Sequence, residues 1–295
     1  MNRIHFLFTC VIGLLLLACD SSDAPPEADQ PESEVEAETH DDGSLFIIGG
    51  GKRTPGLLQS MLESAHLSAE DYVVVLPMAS SEPDTSFFYF HQGLDSLTEN
   101  DILNYNLSLA DVLNEERLDS LRNSKLIFVT GGDQSIFMNV VKDNPIAQAI
   151  QGAHEQGAMI AGTSAGAAIM SEVMITGDQV YTEEYRSTYD KVWRENGVYA
   201  KGMGFLSSAI IDQHFIARSR YNRILSALAD HPGKMGIGIE ESTAILVRGN
   251  GVTVMGENQV VVFQAPDSVR YQFLKVGMDN IRMDILLPGD HFNLK

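Results

Sequence analysis

From Ser44 onward, short apolar runs of strand length alternate with amphipathic stretches of helix length, and this alternation constrains the fold more than anything else in the chain. A chain that builds a helix between successive strands returns across the face of its own sheet, so neighbouring strands run parallel and helices cover the faces. The spacing predicts strands at 45–48, 72–76, 102–106, 125–130, 158–163, 209–212, 235–239 and 244–247, and helices at 55–66, 85–97, 109–122, 135–142, 146–156, 165–171 and 218–229. After Val252 the pattern changes to short β-branched pieces at 252–255 and 259–263 with turn residues between them, which predicts antiparallel strands at the C-terminal edge of the sheet. The expected fold class is therefore α/β: one domain over 44–295 with a mostly parallel sheet flanked by helices.

The segment before Ser44 reads differently. Arg3 supplies a basic start, residues 6–17 an apolar run short for a bilayer span, and Leu16-Leu17-Ala18-Cys19 resembles the lipobox of bacterial lipoproteins. Residues 1–19 are thus expected to be a signal peptide, with Cys19 the lipidated residue. Residues 20–43 hold ten Asp and Glu, no Lys or Arg and three of the ten prolines, a composition that buries too little apolar surface to fold and reads as an acidic tether. An exported protein held by a lipid to a bacterial membrane, on the periplasmic or cell-surface side, is the expectation. Both cysteines, Cys10 and Cys19, lie in this segment, so the body of the chain offers no disulfide, thiol nucleophile or thiolate metal site. Of the formal net charge of −20, half comes from the tether. The remainder is still acidic, which leaves no electrostatic footprint for nucleic acid.

In an open α/β sheet the functional loops cluster beyond the carboxyl ends of the strands. After the run at 158–161 stands Gly162-Thr163-Ser164-Ala165-Gly166, followed by the helix-like Ala167-Ala168-Ile169-Met170. A serine at a tight strand-to-helix turn lifts its hydroxyl clear of the sheet, and this is the pattern of a nucleophile elbow. Gly49-Gly50-Gly51-Lys52 lacks the spacing of a phosphate loop and reads instead as a tight turn or a close backbone approach; no nucleotide is implied. A serine nucleophile needs a base. Of eight histidines, His214 alone ends an apolar strand, within Asp212-Gln213-His214-Phe215, where a parallel sheet would deliver it to the elbow. Glu240 and Glu241, closing the strand Gly236-Ile237-Gly238-Ile239, offer the acid at a third neighbouring strand end, and their position points to a fixed, partly buried hydrogen-bonding role. Backbone N–H groups of Ala165 and of the Gly131-Gly132 turn are the natural oxyanion hole. Arg218, Arg220 and Arg223 gather three cations within six residues of an acidic chain, an arrangement suited to carboxylate ligands. Neither a cofactor nor a metal is called for.

Taken together, Gly162-Thr-Ser164-Ala-Gly-Ala167, Gly131-Gly-Asp-Gln134, the Asp212-Gln-His-Phe block with its three arginines, and Gly236-Ile-Gly-Ile-Glu-Glu241 resemble the cyanophycinase branch of the serine peptidases, which also contains α-aspartyl dipeptidase. The resemblance runs from about Leu45 to Phe263. It implies a flavodoxin-like or class I glutamine amidotransferase-like fold with serine in place of cysteine. It also implies Ser164 as nucleophile, His214 as general base and then acid, and Glu241 as the acid that orients His214. By the same resemblance Gln134, Asp212, Gln213, Arg218, Arg220 and Arg223 line a pocket for β-aspartyl-arginine units of cyanophycin, a polyaspartate whose side chains carry arginine. Related enzymes are often homodimers, although no segment here argues for an interface. The order Ser, His, Glu along the chain differs from that of α/β-hydrolases.

Two positions depart from the family. Lys52-Arg53 stands where cyanophycinases commonly carry acidic residues, and Glu240 stands where an aspartate is usual. With the export signal, these leave open a small aspartyl peptide in place of the polymer. The alternatives to a cyanophycinase-type exopeptidase are an α- or β-aspartyl dipeptidase and a non-catalytic binding lipoprotein of the same fold.

Overall fold

The computed structural model describes residues 43–182, 184 and 186–295, so Cys19 and the expected signal and tether at 1–42 lie outside the described residues. The first half of the domain is the predicted alternation. Strands β1 (Ser44–Ile48), β2 (Tyr72–Leu76), β3 (Asp101–Asn104), β4 (Leu126–Val129) and β5 (Met159–Thr163) are separated by α1 (Pro55–Ala65), α2 (Pro83–Leu94), α3 (Glu115–Arg122) and the pair α4 (Gln134–Val141) and α5 (Pro145–Glu155). They lie side by side in the order β1-β5-β4-β2-β3, all parallel. Successive residues face opposite sides of a strand. Phe46 and Ile48 therefore pack with α1 and α2 residues such as Met61 and Phe90, while Leu45 and Ile47 join the α4 and α5 side with Phe137 and Ile150. Both faces are covered, as a parallel sheet requires. The helix predicted over 109–122 is broken: a short 3-10 turn at Leu109–Leu113 precedes α3, because the Asn114 side chain accepts from the Arg117 N–H and caps α3 there.

A short helix α6 (Ala165–Ala168) leaves β5, and the second half is less regular. It contains β6 (Val173–Gln179), β7 (Gly197–Lys201), β8 (Ala209–Gln213), α7 (Tyr221–Asp230), β9 (Met235–Ile239), β10 (Thr243–Arg248), β11 (Gly251–Gly256), β12 (Val260–Phe263), β13 (Ser268–Gln272), β14 (Lys275–Asp279), β15 (Met283–Leu286) and β16 (His291–Asn293). Here one expectation needs correcting. Strands β8 and β9 are parallel, as predicted, but they do not extend the main sheet. The free edge of β1 is taken by β10, which runs antiparallel and continues into β11 and β16. With that edge filled, β8 and β9 form a second sheet with antiparallel β12 and β15. Of the two predicted C-terminal strands, 252–255 sits one place in from the edge of the main sheet, between β10 and β16, whereas 259–263 belongs to the second one. Ile211, Ile237 and Val260 bury one face of the second sheet in the main core, and Ile210, Val261 and Phe263 bury the other with Ile224 and Leu228 of α7. The link from β9 to β10, residues 240–242, carries the chain from one sheet to the other and brings their strand ends together.

Candidate active site

Ser164 sits at the turn from β5 to α6 with φ 54° and ψ −105°, a conformation that non-glycine residues rarely adopt and that lifts the side chain off the sheet. Its N–H donates to Ile48 O of the neighbouring strand at 3.1 Å. Glycine is required beside it, since a Cβ on Gly162 would collide with the carbonyl oxygen of Gly166.

His214 directly follows β8 of the second sheet, also with positive φ (49°), and its N–H donates to Gly49 O at 2.7 Å. The ring crosses the gap between the sheets. Its Nε2 lies 2.9 Å from Ser164 Oγ, and its Nδ1 lies 2.6 Å from Glu241 Oε1. An ionised carboxylate can only accept, so Nδ1 carries the hydrogen toward Glu241 and the Nε2 lone pair is left to face the serine hydroxyl. Three residues expected along one rim of one sheet thus meet across two. His214 is 7% exposed, and burial is the main cause that holds its pKa below the ordinary imidazole value. Arg218 and Arg220 push the same way, and Glu241 opposes them. The imidazole is accordingly neutral near pH 7, the form a general base needs.

The sequence anticipated a close backbone approach at Gly49-Gly50-Gly51 without saying to what. It is to the imidazole and the carboxylate: a Cβ on Gly50 (φ 111°) would strike the His214 ring, and one on Gly51 (φ 70°) would lie 2.6 Å from Glu241 Cβ. Glu240, whose partner the sequence did not identify, accepts through Oε2 from the N–H groups of Ile216 (2.5 Å) and Ala217 (3.0 Å).

On the other flank of Ser164, toward β4, opens a cavity of about 210 Å³. Gly132 and Gln134 form its wall on one side, Gln213, Arg218, Arg220 and Arg223 on the other. Thr176 and Gly177 of β6, a strand the sequence did not reveal, complete it. Gln134 Nε2 holds β6 in place by donating to Ile175 O (2.8 Å) and Thr176 O (2.7 Å). Gly131 abuts the serine: a Cβ built on it would lie 3.4 Å from Ser164 Cβ. Among the described residues neither the Gly132 nor the Ala165 N–H has an acceptor.

Asp212, expected on the pocket wall, lies behind it. It is fully buried and bound to Arg223 through both carboxylate oxygens, Nε to Oδ2 at 2.8 Å and Nη2 to Oδ1, with Arg220 Nη1 at 3.5 Å from Oδ1. Gln213 Oε1 accepts from Arg220 Nη1 (3.0 Å) and Arg223 Nη2 (3.2 Å). The physical reason is that an ionised carboxylate at a buried strand end must be paired, and two arginines of the following turn and helix are within reach. Arg218 differs. It precedes α7, which starts at Tyr221 rather than at 218 as predicted, and its half-buried guanidinium has no acceptor among the described residues. The same is true of Arg53, half-buried in the loop that follows Gly51, whose pKa burial pushes below the usual guanidinium value. Among the described residues no group of three or more His, Cys, Asp or Glu is arranged to hold a metal ion.

Peptidase family S51 matches residues 45–255, a span that contains every side chain of this site. Over 266 residues the chain is 32% identical to the cyanophycinase of Synechococcus elongatus, covering 86% of this chain and 80% of that one. It is 30% identical over 268 residues to the cyanophycinase of Trichormus variabilis, covering 85% of each. Among solved structures, that of a peptidase from an acI-B1 Actinobacterium shares the fold, with a TM-score of 0.64 at 20% identity over 86% of this chain and 97% of that one.

Proposed function

This chain belongs to peptidase family S51 and is a serine-type peptidase; from that premise we propose that it hydrolyses aspartyl peptide bonds, with Ser164 as nucleophile, His214 as general base and acid, and Glu241 orienting the imidazole. The observation that carries this is the unbroken chain of contacts from Ser164 Oγ to His214 Nε2 (2.9 Å) and from His214 Nδ1 to Glu241 Oε1 (2.6 Å). As Ser164 Oγ attacks the scissile carbonyl, its proton passes to His214 Nε2, and the imidazolium so formed is held by Glu241. The N–H groups of Ala165 and of the Gly131-Gly132 turn receive the negative charge that develops on the carbonyl oxygen. His214 then returns the proton to the leaving amine. The acyl group stays on Ser164 until a water, deprotonated by His214, releases it.

Substrate is chosen in the cavity beside Ser164. Arg218, free to form a bidentate pair, takes a substrate carboxylate, and the amide of Gln134 and the Gln213–Arg220–Arg223 wall fix its orientation. Release of β-Asp-Arg from cyanophycin breaks the α-peptide bond of the polyaspartate backbone and leaves the β-linked arginine in place, and the free carboxylate of that arginine suits this arrangement; the similarity to two cyanophycinases supports cyanophycin as the polymer. A second reading is favoured by Arg53. Its half-buried guanidinium, without an acceptor, lies in the loop whose glycines touch His214 and Glu241, and it suits a leaving group that bears a free carboxylate, as in small aspartyl dipeptides. Giving the purified protein insoluble cyanophycin and, separately, aspartyl dipeptides decides between them: release of β-Asp-Arg supports the polymer, and cleavage of dipeptides alone excludes it. Full activity in a Ser164→Ala variant would remove the mechanism.

Export and lipid anchoring through Cys19 complete the proposal, supported by the Leu-Leu-Ala-Cys motif and the acidic stretch behind it. No helix among the described residues is long and apolar enough to cross a membrane. Labelling of cells with an alkyne fatty acid should mark the wild-type chain and not Cys19→Ala; equal labelling of both would exclude this anchor.

A further inference from the structure

One carboxylate at the site touches neither Ser164 nor the His214 ring. Glu240 is 9% exposed, and its Oε2 receives the N–H groups of Ile216 and Ala217. The Arg218 N–H donates to His214 O at 3.0 Å, so residues 214–218 make a single helical turn with His214 at the N-cap position. Ile216 and Ala217 are then the second and third residues of that turn, whose N–H groups an N-cap side chain normally accepts. At this N-cap the side chain is engaged elsewhere, with Nε2 at Ser164 and Nδ1 at Glu241. The two N–H groups need another acceptor, and it comes from the end of β9.

We propose that Glu240 is a positioning residue, a cap supplied from a neighbouring strand, which takes the N–H groups of the His214 turn and so leaves the imidazole to Ser164 and Glu241. It rests on His214 being the base. Adjacent residues then divide the work on one turn: Glu241 holds the ring, and Glu240 holds the backbone that carries the ring at one end and Arg218 at the other. The turn has a second constraint in Phe215, whose ring occupies the space a side chain on Gly238 would need. Without Glu240 the acceptor nearest along the chain is His214 Nδ1 itself. An imidazole that caps its own turn must leave Glu241, because the same nitrogen cannot donate to one group while accepting from another.

The test compares Glu240→Gln, Glu240→Asp and Glu240→Ala in the full chain, with kcat, KM and the pH profile measured on whichever of cyanophycin and an aspartyl dipeptide the wild-type protein cleaves. A titration of the His214 Cε1 resonance accompanies them. The glutamine keeps an oxygen at the same reach, so it should retain kcat within about threefold of wild type. The alanine should lose about 30-fold in kcat, the scale expected of a catalytic group displaced by less than 1 Å. The aspartate, one methylene short, should fall between them and serves in place of the alanine if that variant does not fold. In the impaired variants the acid limb of kcat/KM and the His214 titration should both move to higher pH, as the ring leaves its buried seat between Ser164, Glu241, Arg218 and Arg220. A purely structural Glu240 would lower the melting temperature and leave kcat per folded molecule, KM and the acid limb unchanged, and that result would overturn the proposal. So would a glutamine variant as impaired as the alanine. Failure of the underlying mechanism shows separately, as activity that survives Ser164→Ala.

Discussion

The turn after β8 carries two arrangements of opposite character. On its inner side, Asp212, Arg220 and Arg223 form a buried knot behind the cavity wall to which the two arginines contribute, each residue at most 2% exposed and joined by several charge-assisted hydrogen bonds. On its outer side, Ser164, His214 and Glu241 form a half-open relay in which the serine and the histidine hold positive φ and the Glu241 side chain is 39% exposed. The difference teaches where such a site gets its rigidity. Buried ion pairs add little net stability, but they fix a geometry, because any rearrangement leaves a charge unpaired in a low-dielectric interior. The knot can therefore hold the backbone in a strained form that the relay requires.

Variants should break the two sides in different ways. The largest effect belongs to the relay: Ser164→Ala should lower kcat/KM by about 10,000-fold or more with an unchanged melting temperature, measured on any aspartyl substrate. Next comes the knot. Asp212→Ala leaves two buried guanidinium groups without their carboxylate and should lose about 3–5 kcal/mol of stability in denaturant unfolding, whatever it does to activity. Gly50→Ala probes the seam between them, since its Cβ must displace the His214 ring; kcat should fall about 100-fold while binding of an uncleavable analogue is kept.

Smaller effects separate the arginines. Arg218→Ala should raise KM about 10- to 100-fold, the weight of a charge-assisted hydrogen bond to substrate, and leave unfolding unchanged. Arg223→Ala should instead destabilise the fold. Equal behaviour of the two would erase the distinction between wall and knot. The smallest effect is on pH. Burial holds His214 below the ordinary imidazole pKa of about 6.5, so the base stays neutral, and the enzyme active, to lower pH than a free imidazole would allow. Arg218 contributes to that depression, and Arg218→Ala should move the acid limb of kcat/KM upward by a fraction of a pH unit. The same depression means that the unfolded chain binds this proton more readily than the folded one. Stability from this group is therefore whole above the ordinary imidazole range and declines as pH falls through it.

Much of this was legible in the residues. The apolar runs at 45–48 and 72–76, buried on both faces, the elbow at 162–166 and the strand-end positions of His214 and Glu241 follow from local pattern, and local pattern is what a sequence displays. The partition into two sheets is not local. Nothing in the Ala209–Gln213 or Met235–Ile239 segments says that β10 has already filled the edge of β1. Hydrophobic alternation was silent for β13 to β16, whose faces are largely exposed, and for β6, where the apolar start gives way to Thr176-Gly177-Asp178-Gln179 and the pairing with β7 shifts register, and so the cavity wall from Thr176 and Gly177 was missed. The three arginines looked alike in sequence. Only the start of α7 at Tyr221 sorts them, placing Arg220 and Arg223 over Asp212 and leaving Arg218 on the turn before it. Asp212 itself, expected to line the pocket, could not be known as buried without the position of those two side chains.

The account depends most on Ser164 acting as a nucleophile driven by His214. Intact-mass analysis of the protein quenched during turnover of an activated aspartyl ester, followed by peptide mapping, tests that directly. The prediction is a single acyl adduct on Ser164 that is absent from His214→Ala. An adduct on another residue, or steady turnover by Ser164→Ala, would contradict it.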